Sequence, residues 1–246
     1  MKSFIFLLMI NCTLAFQPSL RFVKEYCRKY NIDKSHNEHH SKEVLYWAVD
    51  IMTNMNTTFG KSELNVISEA CILHDMVDSK YRADGEYVQN YLKQKYTKDE
   101  TDAVMNIINT MSYSKIMKQD RVVFPEWIDN SPYKRAFHIV REGDLLSSYN
   151  IARMIDYRIA QNMPIFMIKR EVPVLYKKRM AKLVSQGHFV HDPSRERAKQ
   201  LDSIAQLKLD TIHSHDFRNL DYFTFVDYIY LTDLEFKFKK LYKSNK

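Results

Sequence analysis

The residues best placed to do chemistry lie in one stretch, Ser68-Glu69-Ala70-Cys71-Ile72-Leu73-His74-Asp75-Met76-Val77-Asp78-Ser79-Lys80-Tyr81. An apolar run at helical spacing ends there in His74-Asp75, with Asp78 and Lys80 just beyond. Packing alone gives a buried helix no reason to deliver an imidazole and a carboxylate side by side. Binding a metal ion does: neighbouring helix positions lie roughly 100° apart, so both side chains can converge on an ion between their directions. The dipeptide itself is not distinctive, since His191-Asp192 and His215-Asp216 also occur. Asp192 precedes Pro193 and reads as a helix cap, and His215-Asp216 sits in a polar stretch. Only His74-Asp75 closes an apolar helix.

The elements that must hold this pair read as helices. The chain has 246 residues, 45% apolar and 27% charged, with four glycines, six prolines and 12 methionines. Such sparse punctuation between long runs of 3.6-residue periodicity indicates an all-α protein with one sizeable core. Helices are expected from Ser19 to Tyr30 and from His40 through Met52. Another runs from Ser62, as N-cap, to about Asp75, and a further one from Glu86 to Tyr96. Thr97-Lys98-Asp99-Glu100 has the form of a capping box and opens a helix to about Met111. Residues 118–130 read as a loop. Ser131-Pro132 then begins one long helix to about Asn162. Pro164 and Pro173 interrupt the next helical stretch, which ends near Gly187, and Asp192 starts another to about His213.

Both ends carry separate expectations. Lys2, the apolar run Phe4 to Ile10 and the small residues up to Ala15 follow the order of a signal or targeting peptide. Residues 1–16 are therefore either a cleaved segment, sending the chain to an organelle or secretory route, or an apolar helix kept on a cytoplasmic protein. The Asn56-Thr57-Thr58 acceptor pattern would matter only on a secretory route. Elsewhere no apolar stretch is long enough to span a membrane. Residues 214–246 form an extension whose aromatic stripe, Tyr222 to Phe236, reads as a last helix suited to core packing or a homo-oligomer contact. Cys12, Cys27 and Cys71 supply neither a disulfide framework nor a CxxC metal site. The net charge of +7 favours anionic partners such as phosphorylated small molecules. No compact basic run with interleaved aromatics marks a nucleic-acid groove.

Across residues 19–213 the motifs resemble the HD-domain metal-dependent phosphohydrolases, whose signature is His, then His-Asp, then Asp. The likeness is closest to a small bacterial branch. Asp33-Lys34-Ser35-His36-Asn37-Glu38-His39-His40 is similar to its first segment and Glu69 to Lys80 to its second. Ile139-Val140-Arg141-Glu142-Gly143-Asp144-Leu145-Leu146 is similar to its last. The resemblance implies an HD-type helical bundle with an extra C-terminal helix. It places the metal ligands on His40, His74, Asp75 and Asp144. It also implies one divalent ion, and a mixed N/O set of this kind suits Mn²⁺, Mg²⁺ or another first-row divalent ion.

Hydrolysis of a phosphate ester or anhydride in a small metabolite, most plausibly a nucleotide, would then use a metal-activated water. Asp75 and Asp78 would orient that water or take its proton, Lys80 would meet a phosphate, and His36 would be a further substrate contact or leaving-group acid. Otherwise Asp78 and Lys80 are ordinary solvated residues after a helix end. Two positions depart from the family pattern: Met111 stands where it has a histidine, and Ser147 where it has a second acid. Both favour the alternative of a catalytically silent metal- and nucleotide-binding module. His39 is expected to turn away from the ion, and His138, His188, His191, His213 and His215 receive no role.

Overall fold

The computed structural model describes residues 17–214 apart from 79, 80, 82, 83, 119 and 120. The expected targeting segment and the aromatic C-terminal extension, with its oligomer contact, lie outside the described residues, as does Lys80.

Ten α-helices make up the described fold. The first, α1 (Gln17–Tyr30), is followed by a 3-10 turn at Lys34–His36 and by α2 (Glu38–Asn54), which Asn37 caps by accepting from the His39 N–H. Helix α3 (Lys61–Leu73) starts after Gly60 with no side-chain cap. Ser62 is therefore not the N-cap; its hydroxyl bonds Tyr133 at 2.8 Å instead. Asp84 caps α4 (Gly85–Lys93), and the reciprocal Thr97/Glu100 capping box opens α5 (Lys98–Thr110) as the sequence indicates. A four-residue α6 (Tyr113–Ile116) leads into a minimal antiparallel ladder, β1 (Met117–Lys118) against β2 (Arg121–Val122).

The long helix expected from Pro132 to Asn162 is two helices, α7 (Lys134–Ser147) and α8 (Ile151–Ala160). The hydroxyls of Ser147 and Ser148 bond back to the Asp144 and Leu145 carbonyls at 2.7 and 2.6 Å. Such bonds compete with the helical ladder, and Asn150 then starts α8 as its N-cap, accepting from the Ala152 N–H. The start of α7 also differs, because Ser131 caps a turn at Tyr133 ahead of the helix. Pro173 does not interrupt α9 (Ile165–Arg179); it is buried inside that helix at the expense of one backbone bond. A 3-10 turn, Met180–Lys182, and the left-handed Gly187 (φ 74°) turn the chain toward α10 (Asp192–Ser214).

The core gathers around α2, α3 and α7. Val44, Ala48 and Ile51 of α2, Val66, Ile67 and Ala70 of α3, and Ile139 and Val140 of α7 are all inaccessible or nearly so. Gly143 lets α2 and α7 touch, since a Cβ there would lie 2.9 Å from the Val44 carbonyl and 3.3 Å from the Ala48 nitrogen. This close crossing sets the start of α2 against the end of α7, next to the C-terminus of α3. Among the described residues no helix is long and apolar enough to cross a membrane.

Candidate metal centre

Three helix ends deliver four side chains to one point. His40 comes from the first turn of α2, His74 and Asp75 from the turn that ends α3, and Asp144 from the last turn of α7. The two imidazoles face each other with their Nε2 atoms 2.9 Å apart. Asp75 Oδ2 lies 3.2 Å from His74 Nε2 and 3.4 Å from His40 Nε2. Asp144 Oδ1 lies 3.4 Å from His40 Nε2 and 3.8 Å from His74 Nε2. Both histidines are buried, 4% and 7% exposed.

Of these four side chains, His40, His74 and Asp75 form a group that could hold a divalent ion. With metal–ligand bonds of about 2.1 Å, adjacent ligands stand roughly 3.0 Å apart in an octahedron and roughly 3.4 Å apart in a tetrahedron. The separations among His40, His74 and Asp75, 2.9–3.4 Å, bracket those edges, and Asp144 adjoins this group, 3.4 and 3.8 Å from the two imidazoles. His74 is oriented for ligation, since its Nδ1 donates to the Cys71 carbonyl at 2.8 Å and its Nε2 points toward the cluster. Asp75 Oδ2 is buried, and the two imidazoles at 3.2 and 3.4 Å are the groups that face it. An acceptor in that position is costly unless a cation answers it.

The protonation balance reflects the same crowding. Burial and the Arg153 guanidinium push His40 down to about 3. For His74 burial acts downward, but the Asp75 and Asp144 carboxylates outweigh it and raise the imidazole to about 9. Burial works against ionisation of Asp75 and Asp144 too. His74, prominently for Asp75, and the hydrogen bond from His40, for Asp144, hold both below the usual carboxylate range.

The remaining sequence candidates stand around this cluster rather than in it. His36 closes the 3-10 turn, with Nδ1 2.7 Å from Ser35 Oγ, 3.1 Å from Tyr81 OH and 3.2 Å from Asp33 Oδ1. Its ring centre is 6.2 Å from that of His40. Tyr81 also donates to Asp33. Burial opposes ionisation of Asp33, but bonds from His36, Ser35 and Tyr81 hold its carboxyl well below the usual range. Asp78 is half-buried, one turn past Asp75, with its N–H on the Asp75 carbonyl at 3.3 Å. His39 is exposed, as expected. Met111 is a buried core residue.

Sequence reasoning missed Arg153. Its Nη1 lies 2.8 Å from His40 Nδ1, 2.8 Å from Ser147 Oγ and 3.8 Å from Asp144 Oδ1. In an uninterrupted helix from Pro132 to Asn162 nothing would single it out. The usable signal was Ser147-Ser148 followed by Asn150, a break that redirects the chain and brings Arg153 back over the cluster.

Comparison with known proteins places the fold. No family model matches the chain, and no curated protein matches it. Among solved structures, YpgQ of Bacillus subtilis, crystallised in complex with ADP, superposes with a TM-score of 0.54. The match covers 78% of this chain and 96% of that one at 20% identity. The two chains share an all-α fold. Together with the His/Asp cluster, that likeness is compatible with an HD-type domain.

Proposed function

We propose that the chain is a metal-dependent phosphohydrolase acting on a small phosphorylated metabolite, most plausibly a nucleotide. The observation that carries this reading is the convergence of His40, His74 and Asp75 at ligand–ligand spacing, with Asp144 beside the two imidazoles. The nucleotide is supported by the fold shared with a protein crystallised with ADP, and by the chain's positive charge. A bound divalent ion would lower the charge on a phosphoryl oxygen and the pKa of a water.

The chain's own residues would do the rest. His40, His74, Asp75 and Asp144 would hold the ion. Asp78 would orient the attacking water or accept its proton. His36, steadied by Asp33 and Tyr81, would contact the phosphoryl group or leaving group, and Lys80 would pair with a phosphate.

The test is phosphate and pyrophosphate release from nucleoside mono-, di- and triphosphates with Mn²⁺, Mg²⁺ or a chelator. The wild type is compared with the His74→Ala/Asp75→Ala double variant. Release that needs the ion and vanishes in the double variant is the expected result, and the product identifies the bond cleaved. No release with any ion, while nucleotides still raise the melting temperature, would point to a silent binding module.

A further inference from the structure

Arg153 meets His40 on the side away from the cluster, and the polarity of that contact matters. A guanidinium has donors only. His40 Nδ1, 2.8 Å from Arg153 Nη1, must therefore be the acceptor. In a neutral imidazole the hydrogen then sits on Nε2, the nitrogen that faces His74, Asp75 and Asp144. A ligating histidine has the reverse arrangement, presenting a lone pair to the ion and donating its other N–H to a carboxylate, carbonyl or water. His74 donates its other N–H in this way, to the Cys71 carbonyl, and His40 does not.

The contact is built in by the surrounding residues. Arg153 Nη1 also bonds Ser147 Oγ at 2.8 Å, and that hydroxyl is itself anchored on the Asp144 carbonyl at 2.7 Å. The two hydrogens of Nη1 thus have two acceptors, which seats the guanidinium 3.8 Å from Asp144 Oδ1. There it supplies part of the positive charge that an ion would otherwise bring. Ser147 fits this seat because its small hydroxyl can accept from Arg153 without attracting the guanidinium away from His40.

The geometry points to Arg153 as a brake on ion binding: it holds His40 as a donor toward the cluster, and an ion must displace it to gain the fourth ligand. This inference rests on reading the four-donor cluster as an ion site. It adds that one of the chain's own cations stands against His40 at the edge of the centre. Removing that cation removes both a charge repelling the ion and the contact fixing the wrong tautomer. Ion affinity then rises on the order of tenfold or more.

Two measurements test it on the full chain. The first is Mn²⁺ titration of wild type and Arg153→Met, followed by the electron paramagnetic resonance of free Mn²⁺. Tighter binding by Arg153→Met supports the brake. Equal or weaker binding, or none in either protein, overturns it. The second needs no variant: two-dimensional ¹⁵N imidazole spectra of the ion-free wild type at neutral pH. His40 protonated on Nε2 is the expected tautomer, and protonation on Nδ1 overturns the inference. Neither readout depends on turnover. A variant that gains affinity while no phosphate is released from any nucleotide would sink the hydrolase and leave the brake standing. Ion-dependent release without a gain in Arg153→Met would do the opposite.

Discussion

Asp75 and Glu142 are both acids set into the core region, yet the atoms around them differ. Glu142 accepts from the Val190 N–H, the Ser194 hydroxyl and His191 Nδ1, so its negative charge ties the start of α10 to α7. Asp75 Oδ2 is buried against two imidazoles only, 3.2 Å from His74 Nε2 and 3.4 Å from His40 Nε2. One carboxylate is tied down by the donors of another element, whereas the other faces only the histidines of the cluster. Glu142→Ala is accordingly expected to cost about 3 kcal/mol or more in urea denaturation, because it strands several buried donors. Asp75→Asn should lower the ion-free melting temperature only modestly, through loss of the pairing with His74, while abolishing the rise on adding Mn²⁺. A large loss of ion-free stability would show that Asp75 is structural. The His-Asp pair was legible in the sequence because a charged dipeptide closing an apolar helix conflicts with packing. Arg153 was not, because an arginine inside a helical pattern conflicts with nothing.

At the scale of elements, the site depends on two junctions. The first is the α2/α7 crossing, where Gly143 admits the Val44 carbonyl at 2.9 Å. Gly143→Ala would force the helices apart next to Asp144, and overpacking of this kind typically costs about 1–3 kcal/mol. Equilibrium denaturation measures that loss, and Mn²⁺ affinity should fall with it as Asp144 moves away from His40. The second junction is Asn150, whose side chain caps α8 and donates to both Glu43 oxygens at 3.2 Å. Asn150→Ala should cost about 1 kcal/mol as a lost cap, with Arg153 loosened on the first turn of α8.

Local chemistry made part of this readable. The Thr97/Glu100 box is a short-range pattern with one structural meaning, and it opens a helix where the sequence places it. The α7/α8 break is different, since serines at 147 and 148 suit a helix surface as well as a kink. Only the back-bonding of their hydroxyls decides between the two. Pro173 shows the reverse case, where burial against the core holds a helix through a residue that local preference would use to end it.

At the scale of the molecule, histidines that the fold buries neutral take stability away as the pH falls below 6.5. His138 is 5% exposed, and burial with the Arg141 guanidinium pushes it down to about 4. Glu142 acts the other way, while His191 and Lys134 add to the depression. His188 is also held at about 4, by burial, Arg141 and Arg179. In the unfolded chain a histidine titrates near 6.5. Between pH 6.5 and 4 the unfolded state therefore binds more protons at these positions than the native state does. Their contribution to stability is complete above pH 6.5 and is lost as the pH falls toward 4. His74, raised to about 9, has the opposite sign: its contribution is present below pH 6.5 and lost as the pH rises through 9.

Comparing a variant at one buried histidine with wild type cancels that background. His138→Gln removes one titration, so wild type should lose about 1–2 kcal/mol more than the variant between pH 7 and pH 5. Urea midpoints at the two pH values measure the difference, even if the glutamine is less stable at both. Parallel losses would mean that His138 takes up its proton in the folded state, with the aromatic wall of Phe124 and Phe137 opening to let water reach Nδ1.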